Sequence, residues 1–284
     1  MKTTKMFALA VLGLTLTAGP VLAQQLELPR PSPKAMVMQQ VGLTEVTIAY
    51  GRPAVRGREV WGSLVPLGQV WRTGANEATT ITFSTEVTVA GTVLPAGTYG
   101  LFTIPGKNEW TVILNKGATQ WGAYQYTSGD DVVRFSVKPQ SAEFAEMMTF
   151  SIADVSNDGA VVHLHWERVQ VSFPFAVDTI PGVLANARAA VAGAAADDWR
   201  TPLRAAAFCV DNAVNLKEAD TWVERSLSVR EGFYNLLVKA RLLALQGDKT
   251  AAVATVRRAI EVGKAAQPPA DTAPAELLLA DLQK

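Results

Sequence analysis

The chain has 284 residues, with 26 basic and 26 acidic residues and therefore a formal net charge of zero. This balance excludes a strongly basic protein, so we expect no nucleic acid as a partner. A single cysteine cannot close an internal disulfide, so the hydrophobic core must hold the fold. That residue, Cys209, lies among alanines at helical spacing and is predicted to be a small buried side chain.

Residues 1–23 have the pattern of a secretory signal peptide. Lys2 and Lys5 precede an uncharged, largely apolar run, and Val21-Leu22-Ala23 offers the small residues that signal peptidase recognises. The run is too short to span a bilayer comfortably, which needs about 20 apolar residues. We therefore expect cleavage after Ala23, no membrane span after cleavage, and a mature protein that is periplasmic or secreted.

After a predicted linker over residues 24–40, residues 41–180 are predicted to form a β domain. Apolar and polar residues alternate in about eight short runs, and no helical pattern separates them. Asn157-Asp158-Gly159 between two runs is a strong hairpin signal. The pattern predicts an antiparallel sandwich or barrel-like fold. The alternation changes phase between Trp166 and Val169, which predicts a β-bulge.

Residues 181–284 are predicted to be all-α, with two helical hairpins that resemble tetratricopeptide repeats. Ala219, Val223 and Ser226 have small or apolar counterparts 33 residues later. The predicted helices of the second hairpin are 235–246 and 249–264, followed by a last helix over 276–283. Two repeats are few for independent stability, so we expect them to dock on the β domain or on a second subunit. Their surface is expected to engage a protein partner.

Short motifs occur in order along the β domain. They are Gly51-Arg52-Pro53, Gly57-Arg58, Trp61-Gly62, Leu64-Val65-Pro66, the runs 70–79, 94–99 and 102–105, Trp110, Asn115, Trp121-Gly122, Asp131-Val132 and Trp166-Glu167. Together they resemble the DUF2911 family of exported proteins, over roughly residues 41–178. Some members of that family carry tetratricopeptide-like repeats behind the domain. The resemblance implies no activity, substrate or catalytic residue.

The stretch Gly51–Ala78 is the best candidate for a ligand-binding site. It has two tryptophans, four arginines and five glycines but no sustained period, which is typical of a functional or self-packed loop. Tryptophan rings would stack on a flat ligand while the charged and amide groups fix its polar atoms, as a glycan or an anionic envelope fragment requires. The candidate residues are Arg52, Arg58, Trp61, Trp71, Arg72, Asn76 and Glu77, with Trp121 from a later segment lining the same cleft.

The alternative interpretation is that these groups hold the loop in place. Arginines would pack on the tryptophan rings, Glu77 would pair with Arg72 or Arg58, and Asn76 would satisfy turn amides.

A weaker candidate is a metal site on one strand. His163, His165 and Glu167 alternate and so project from one face, where they could hold zinc or iron. Polar residues on the solvated face of any half-buried strand give the same pattern. We expect neither a metal nor a cofactor.

Catalytic motifs are not recognisable in the sequence, which lacks Gly-x-Ser-x-Gly, a phosphate-binding glycine loop and Cys-x-x-Cys. The sequence therefore favours a non-catalytic ligand- or protein-binding module of the cell envelope. One alternative is an enzyme of unknown, hydrolase-like class that uses Arg72, Asn76 and Glu77, with Glu77 as acid or base. The other is a purely structural module.

Overall fold

A computed structural model describes residues 28–284, and the predicted signal peptide lies outside the described residues. The described chain is a β half followed by an α half. Within these residues, none of the helices combines the length and the apolar character that crossing a membrane requires.

Ten strands form two antiparallel sheets in the β half. They are β1 (Lys34–Val41), β2 (Thr44–Gly51), β3 (Thr80–Phe83), β4 (Val87–Val89), β5 (Thr92–Leu94), β6 (Gly97–Ile104), β7 (Trp110–Asn115), β8 (Asp131–Val137), β9 (Gln140–Ala153) and β10 (Gly159–Val177). The larger sheet has the order β1-β2-β3-β6-β7-β8, and the smaller has the order β5-β4-β10-β9. The predicted mainly-β, antiparallel architecture is confirmed, and neither of the two described sheets closes into a barrel.

The inner faces of the two sheets share one core. Ile48, Ile81 and Leu114 from the larger sheet belong to the same buried cluster as Val162 and Phe173 from β10. Fully burying one such side chain stabilises the fold by about 1.5–3 kcal/mol. The face-to-face packing follows from the alternation, because every second residue of a strand points to the same side.

The alternation of apolar and polar residues does not predict three of the strands. The strand β1 lies largely within the predicted linker 24–40, and its run Ala35-Met36-Val37-Met38 places apolar residues on both faces, so no contrast marks it. The strands β3 and β5 have only four and three residues. Conversely, the last two predicted runs are one strand, β10. Its register against β9 shifts on both sides of Glu167, which has a φ of 57°, so the predicted bulge is confirmed.

Six helices form the α half. They are α1 (Thr179–Gly193), α2 (Arg200–Asp211), α3 (Leu216–Val229), α4 (Phe233–Leu245), α5 (Lys249–Ala265) and α6 (Ala273–Leu282). The helices α4 and α5 start 33 residues after α2 and α3, at 233 against 200 and at 249 against 216. Asp248 begins α5 by accepting a hydrogen bond from the amide of Ala251. The helices α4, α5 and α6 match the predicted ones to within three residues at either end.

The helices bury their apolar faces against one another. Their two buried clusters draw only on residues 180–282 and include no residue of the β half. Cys209 is fully buried in the first of them, as predicted, and burial raises the pKa of its thiol. The expected docking of the helices on the β domain or on a second subunit stays a prediction, since these clusters contain residues of the helical half only.

Candidate functional site

Backbone hydrogen bonds fix the stretch Gly51–Ala78 on the larger sheet. Trp71 exchanges two of them with Thr103 of β6, with N···O distances of 2.7 and 3.0 Å. Gly51 accepts one from the amide of Ala75. A Cβ at Gly51 would lie 2.0 Å from the Ala75 carbonyl oxygen, so only glycine permits this approach. The stretch is therefore an ordered part of the β half.

Both tryptophans of the stretch belong to a cluster of four indoles. Trp61 lies edge-on to Trp110 and Trp166, with centroids 4.9 and 5.6 Å apart, and Trp71 stacks on Trp166 at 6.0 Å. Trp71 is 8% exposed, and its Nε1 donates to the carbonyl of Gly74. The ring faces of Trp61 and Trp71 are thus occupied by other indoles, which favours the interpretation that they hold the loop in place.

Two of the predicted arginines also hold the loop. Arg52 donates to the carbonyl of Met148 and the hydroxyl of Thr149 on β9, which ties the two sheets together. Arg58 donates to the carbonyls of Val55 and Ala54 within its own loop. Both side chains have their acceptors inside the protein, so neither is free to bind a ligand without breaking these bonds.

Arg72 differs from these arginines. Its guanidinium makes no hydrogen bond or ion pair with any residue between 28 and 284, and its Nε is buried. Burial lowers its pKa from the usual value, and the neighbouring Tyr124 offsets part of this effect. A partly desolvated cation without a counter-charge is costly to the fold, which marks it as a candidate functional residue.

Arg72 lines a cavity of about 580 Å³, which we call the Arg72 cavity. Other lining residues are Arg58, Trp71, Asn76, Tyr124 and Trp166. Trp166 is 1% exposed, and its Nε1, like Nε of Arg72, has no acceptor among the described residues. The amide Nδ2 of Asn76 donates to Ser32. The wall of the cavity therefore contains the unpaired guanidinium of Arg72, and an anionic ligand would give this cation a counter-charge.

The carboxylate of Glu77 does not form an ion pair with Arg72. Its carboxylate pairs with Arg30 at 2.8 Å and with Lys34 at 3.3 Å. The hydrogen bond from Arg30 is the main cause that lowers the pKa of Glu77 to about 2. Such a group stays ionised at neutral pH and is a weak base, so the hypothetical acid or base role is not favoured. The expected pairing of Glu77 with Arg72 or Arg58 is wrong.

Glu77 instead lines a second depression of about 570 Å³, which we call the Trp121 groove. Its other lining residues include Lys34, Met36, Ala49, Thr80 and Trp121. Trp121 is 56% exposed and offers a ring to solvent. The small side chains of Ala49 and Thr80, on the outer face of the larger sheet, leave room beneath that ring. Trp121 therefore does not share a cleft with Trp61, contrary to the prediction.

The three residues of the weak metal candidate are held separately. His163 Nδ1 lies 2.6 Å from Ser172 Oγ, and His165 Nε2 lies 2.8 Å from the carbonyl oxygen of Glu143. The bulge at Glu167 breaks the alternation that would place its carboxylate beside them. Within residues 28–284, no three His, Cys, Asp or Glu side chains stand close enough to hold a metal ion.

Sequence reasoning missed two residues that line the Arg72 cavity, Trp166 and Tyr124, and the partner of Glu77, Arg30. Trp166 has the phase of a core residue, and nothing in the pattern shows that its Nε1 lacks an acceptor. Tyr124 is 84% exposed in an irregular segment. Arg30 precedes β1, in what the sequence presents as a linker. The pairing of charged residues far apart in the sequence is visible only in the fold.

The family comparison covers the β half. A family model described as protein of unknown function (DUF2911) matches residues 32–175, slightly more than half of the chain. Comparison with curated proteins and with solved structures gives no match.

Proposed function

Since this chain belongs to the DUF2911 family of proteins of unknown function, we propose from its own geometry that it is an exported, periplasmic or secreted binding protein without catalytic activity. The β half binds an anionic ligand in the Arg72 cavity. The observation that carries this proposal is the guanidinium of Arg72, which lines the cavity and has neither an acceptor nor a counter-charge among the described residues. An anionic ligand in the cavity would supply the missing counter-charge through charge-assisted hydrogen bonds, which are the stronger kind.

The chemistry of the second depression supports a ligand with sugar rings. The exposed ring of Trp121 can stack on the apolar face of a pyranose. The ionised carboxylate of Glu77 can accept hydrogen bonds from sugar hydroxyl groups, and the ammonium group of Lys34 can donate hydrogen bonds to their oxygens. The Arg72 cavity and the Trp121 groove take walls from the same two segments, 74–78 and 118–124. An acidic glycan or envelope fragment with its acid group at Arg72 fits both.

The helical half is proposed to consist of tetratricopeptide-like repeats that engage a protein partner. The 33-residue offset between the two hairpins supports this assignment. Ala219 and Val223 of α3, and their counterparts Ala252 and Val256 of α5, are all fully buried between helices. Small residues at matching positions allow the close helix packing on which such repeats depend.

Isothermal titration calorimetry with a trimer of galacturonic acid tests the ligand proposal, with neutral galactotriose as the comparison ligand. The acidic trimer is expected to bind, and Arg72→Gln is expected to weaken it by about 10-fold or more, because charge-assisted hydrogen bonds contribute about 1.5–3 kcal/mol. Arg168→Gln is the matched control, since Arg168 is exposed on β10 and lines neither depression. Equal binding of both sugars, or equal affinity of both variants, would refute an anion site at Arg72.

The hydrolase-like alternative receives no support from the geometry. Arg72 and Asn76 line one depression while the carboxylate of Glu77 lines the other. An acid or base at neutral pH needs a pKa near 7, and that of Glu77 is about 2.

A further inference from the structure

The clearest unassigned feature of the α half is an indole ring on which two arginine side chains pack. Trp199 precedes α2, and the guanidinium carbons of Arg200 and Arg230 lie 4.6 and 5.2 Å from its ring centroid. Neither guanidinium has a carboxylate within 4 Å among the described residues. Asp198, beside them in sequence, accepts instead from the backbone amides of Arg200 and Thr201 at the start of α2.

The three residues border a groove of about 820 Å³, which we call the Trp199 groove. Tyr234, 63% exposed, also lines it. The groove contains a third arginine, Arg258, but this one is neutralised by Glu231 at 2.8 Å and Glu261 at 3.4 Å. The lining side chains carry three cations and two carboxylates, a net charge of +1, and the two cations on Trp199 are the ones without a carboxylate partner among the described residues.

Two fully buried polar residues hold this arrangement in place. Ser226 of α3 donates to the carbonyl of Trp199 at 2.8 Å. Asn235 of α4 donates to the hydroxyl of Ser226 at 3.1 Å and to the carbonyl of Arg230 at 2.6 Å. The Asn235 side-chain oxygen accepts from the amide of Gly232 at 2.8 Å. These bonds fix the backbone at both Trp199 and Arg230.

The network joins the end of the first hairpin to the start of the second. The position 33 residues after Ser226 is Ala259, which is buried without any polar contact of its side chain. A hydroxyl is therefore not needed for packing the helices. Buried polar groups cost free energy unless every partner is satisfied. Asn235 also caps the start of α4, and together with Ser226 it holds the backbone that carries the two arginines and their indole.

We propose that the Trp199 groove binds an extended acidic segment of a partner protein, with carboxylates on Arg200 and Arg230; this rests on the proposed role of the helical half in engaging a protein. A guanidinium stacked on an aromatic ring keeps its in-plane N–H groups free for a carboxylate. The exposed ring of Tyr234 adds an amphipathic contact surface. Glu231 and Glu261 on the same groove disfavour a densely charged polyanion and favour a chain with spaced carboxylates.

Fluorescence anisotropy with a fluorescein-labelled decapeptide of alternating Glu and Gly tests the proposal, with a Gln–Gly decapeptide as the neutral probe. The acidic peptide is expected to bind at 50 mM salt and to weaken as salt rises. Arg200→Gln and Arg230→Gln are each expected to raise Kd by about 10-fold. Arg257→Gln, exposed on α5 and outside the groove, is the matched control and should leave Kd unchanged.

Three outcomes would overturn the proposal: no binding of the acidic peptide, an equal loss in Arg257→Gln, or displacement of the peptide by free glutamate at an equal carboxylate concentration. Arg72→Gln separates the two proposals, because it should weaken binding of the acidic sugar by about 10-fold or more and leave binding of the peptide unaffected. Circular dichroism of Arg200→Gln and Arg230→Gln should match the unmodified protein, since both side chains are exposed.

Discussion

The guanidinium Nη1 of Arg30 lies 2.8 and 3.0 Å from the two carboxylate oxygens of Glu77. This contact ties the chain ahead of β1 to the end of the Gly51–Ala78 stretch. Three further hydrogen bonds from the stretch reach the carbonyls of Pro31, Ser32 and Pro33. Because Ser32 lines the Arg72 cavity and Lys34 lines the Trp121 groove, the tied segment 30–34 contributes a wall to each.

The ion pair predicts a pH dependence of stability. The pKa of Glu77 falls from 4.5 to about 2 in the folded protein, so folding favours the ionised carboxylate. Its contribution is fully present above about pH 5 and is lost as the pH falls towards 2. Glu77→Gln is expected to be less stable than the unmodified protein at pH 7, by about 1 kcal/mol or less for an exposed pair. The difference should vanish near pH 2.

Urea unfolding at pH 7, 4 and 2.5 measures this convergence. Glu59→Gln is the matched control, because Glu59 is exposed and its carboxylate has no ion-pair partner among the described residues. A gap between Glu77→Gln and the unmodified protein that stays constant from pH 7 to 2.5 would show that the pKa of Glu77 is not lowered.

Replacing Arg72 by Gln should not destabilise the protein, whereas the same replacement of Arg52 should. Arg72 is partly desolvated without an acceptor, so Arg72→Gln is expected to leave stability unchanged or raise it by about 1 kcal/mol. Arg52→Gln removes donors from Met148 and Thr149, and is expected to lower stability by about 1–3 kcal/mol. Thermal unfolding of the two variants in ligand-free buffer compares them. A comparable loss in both would mean that Arg72 has a protein partner in solution.

The sequence predicts the class of fold because the periods differ between the halves. Alternation marks the strands that have one buried and one solvated face, such as β2. It fails for β1, whose Met36 and Met38 are exposed while Ala35 and Val37 pack on the core. No local pattern records that difference, because the burial of β1 depends on its pairing with β2.

The candidate site was only partly predictable for a similar reason. Composition singled out the stretch Gly51–Ala78, and Arg72, Asn76 and Trp71 do line one cavity. Composition does not reveal which arginine has a hydrogen-bond acceptor within the protein. Arg52 and Arg58 donate to backbone carbonyls, whereas Nε of Arg72 has no acceptor among the described residues. Satisfaction of a donor depends on which carbonyls the fold brings within about 3 Å, and this is a property of tertiary structure.

Trp71 and Trp121 are both candidate ligand-binding residues in the sequence, but their replacement by alanine should change the stability of the protein by very different amounts. Trp71→Ala removes a buried indole and its hydrogen bond to Gly74, and is expected to cost about 3–5 kcal/mol. Trp121→Ala removes a ring that is 56% exposed, and should change stability by about 0.5 kcal/mol or less. Guanidinium denaturation followed by circular dichroism measures both. Equal costs would contradict the assignment of Trp71 to the core and Trp121 to the surface.

The buried hydrogen bonds of Asn235 predict that its replacement lowers the stability of the α half. Asn235→Ala leaves the amide of Gly232 and the carbonyl of Arg230 without these partners, and is expected to lower stability by about 2–4 kcal/mol. Asn186→Ala, at an exposed position of α1, makes the same chemical change and should fall within about 0.5 kcal/mol of the unmodified protein. Denaturation followed at 222 nm reports mainly on the helices and compares the two. A cost for Asn235→Ala as small as that for Asn186→Ala would show that water replaces the lost bonds, and that the backbone of Arg230 is not held by this side chain.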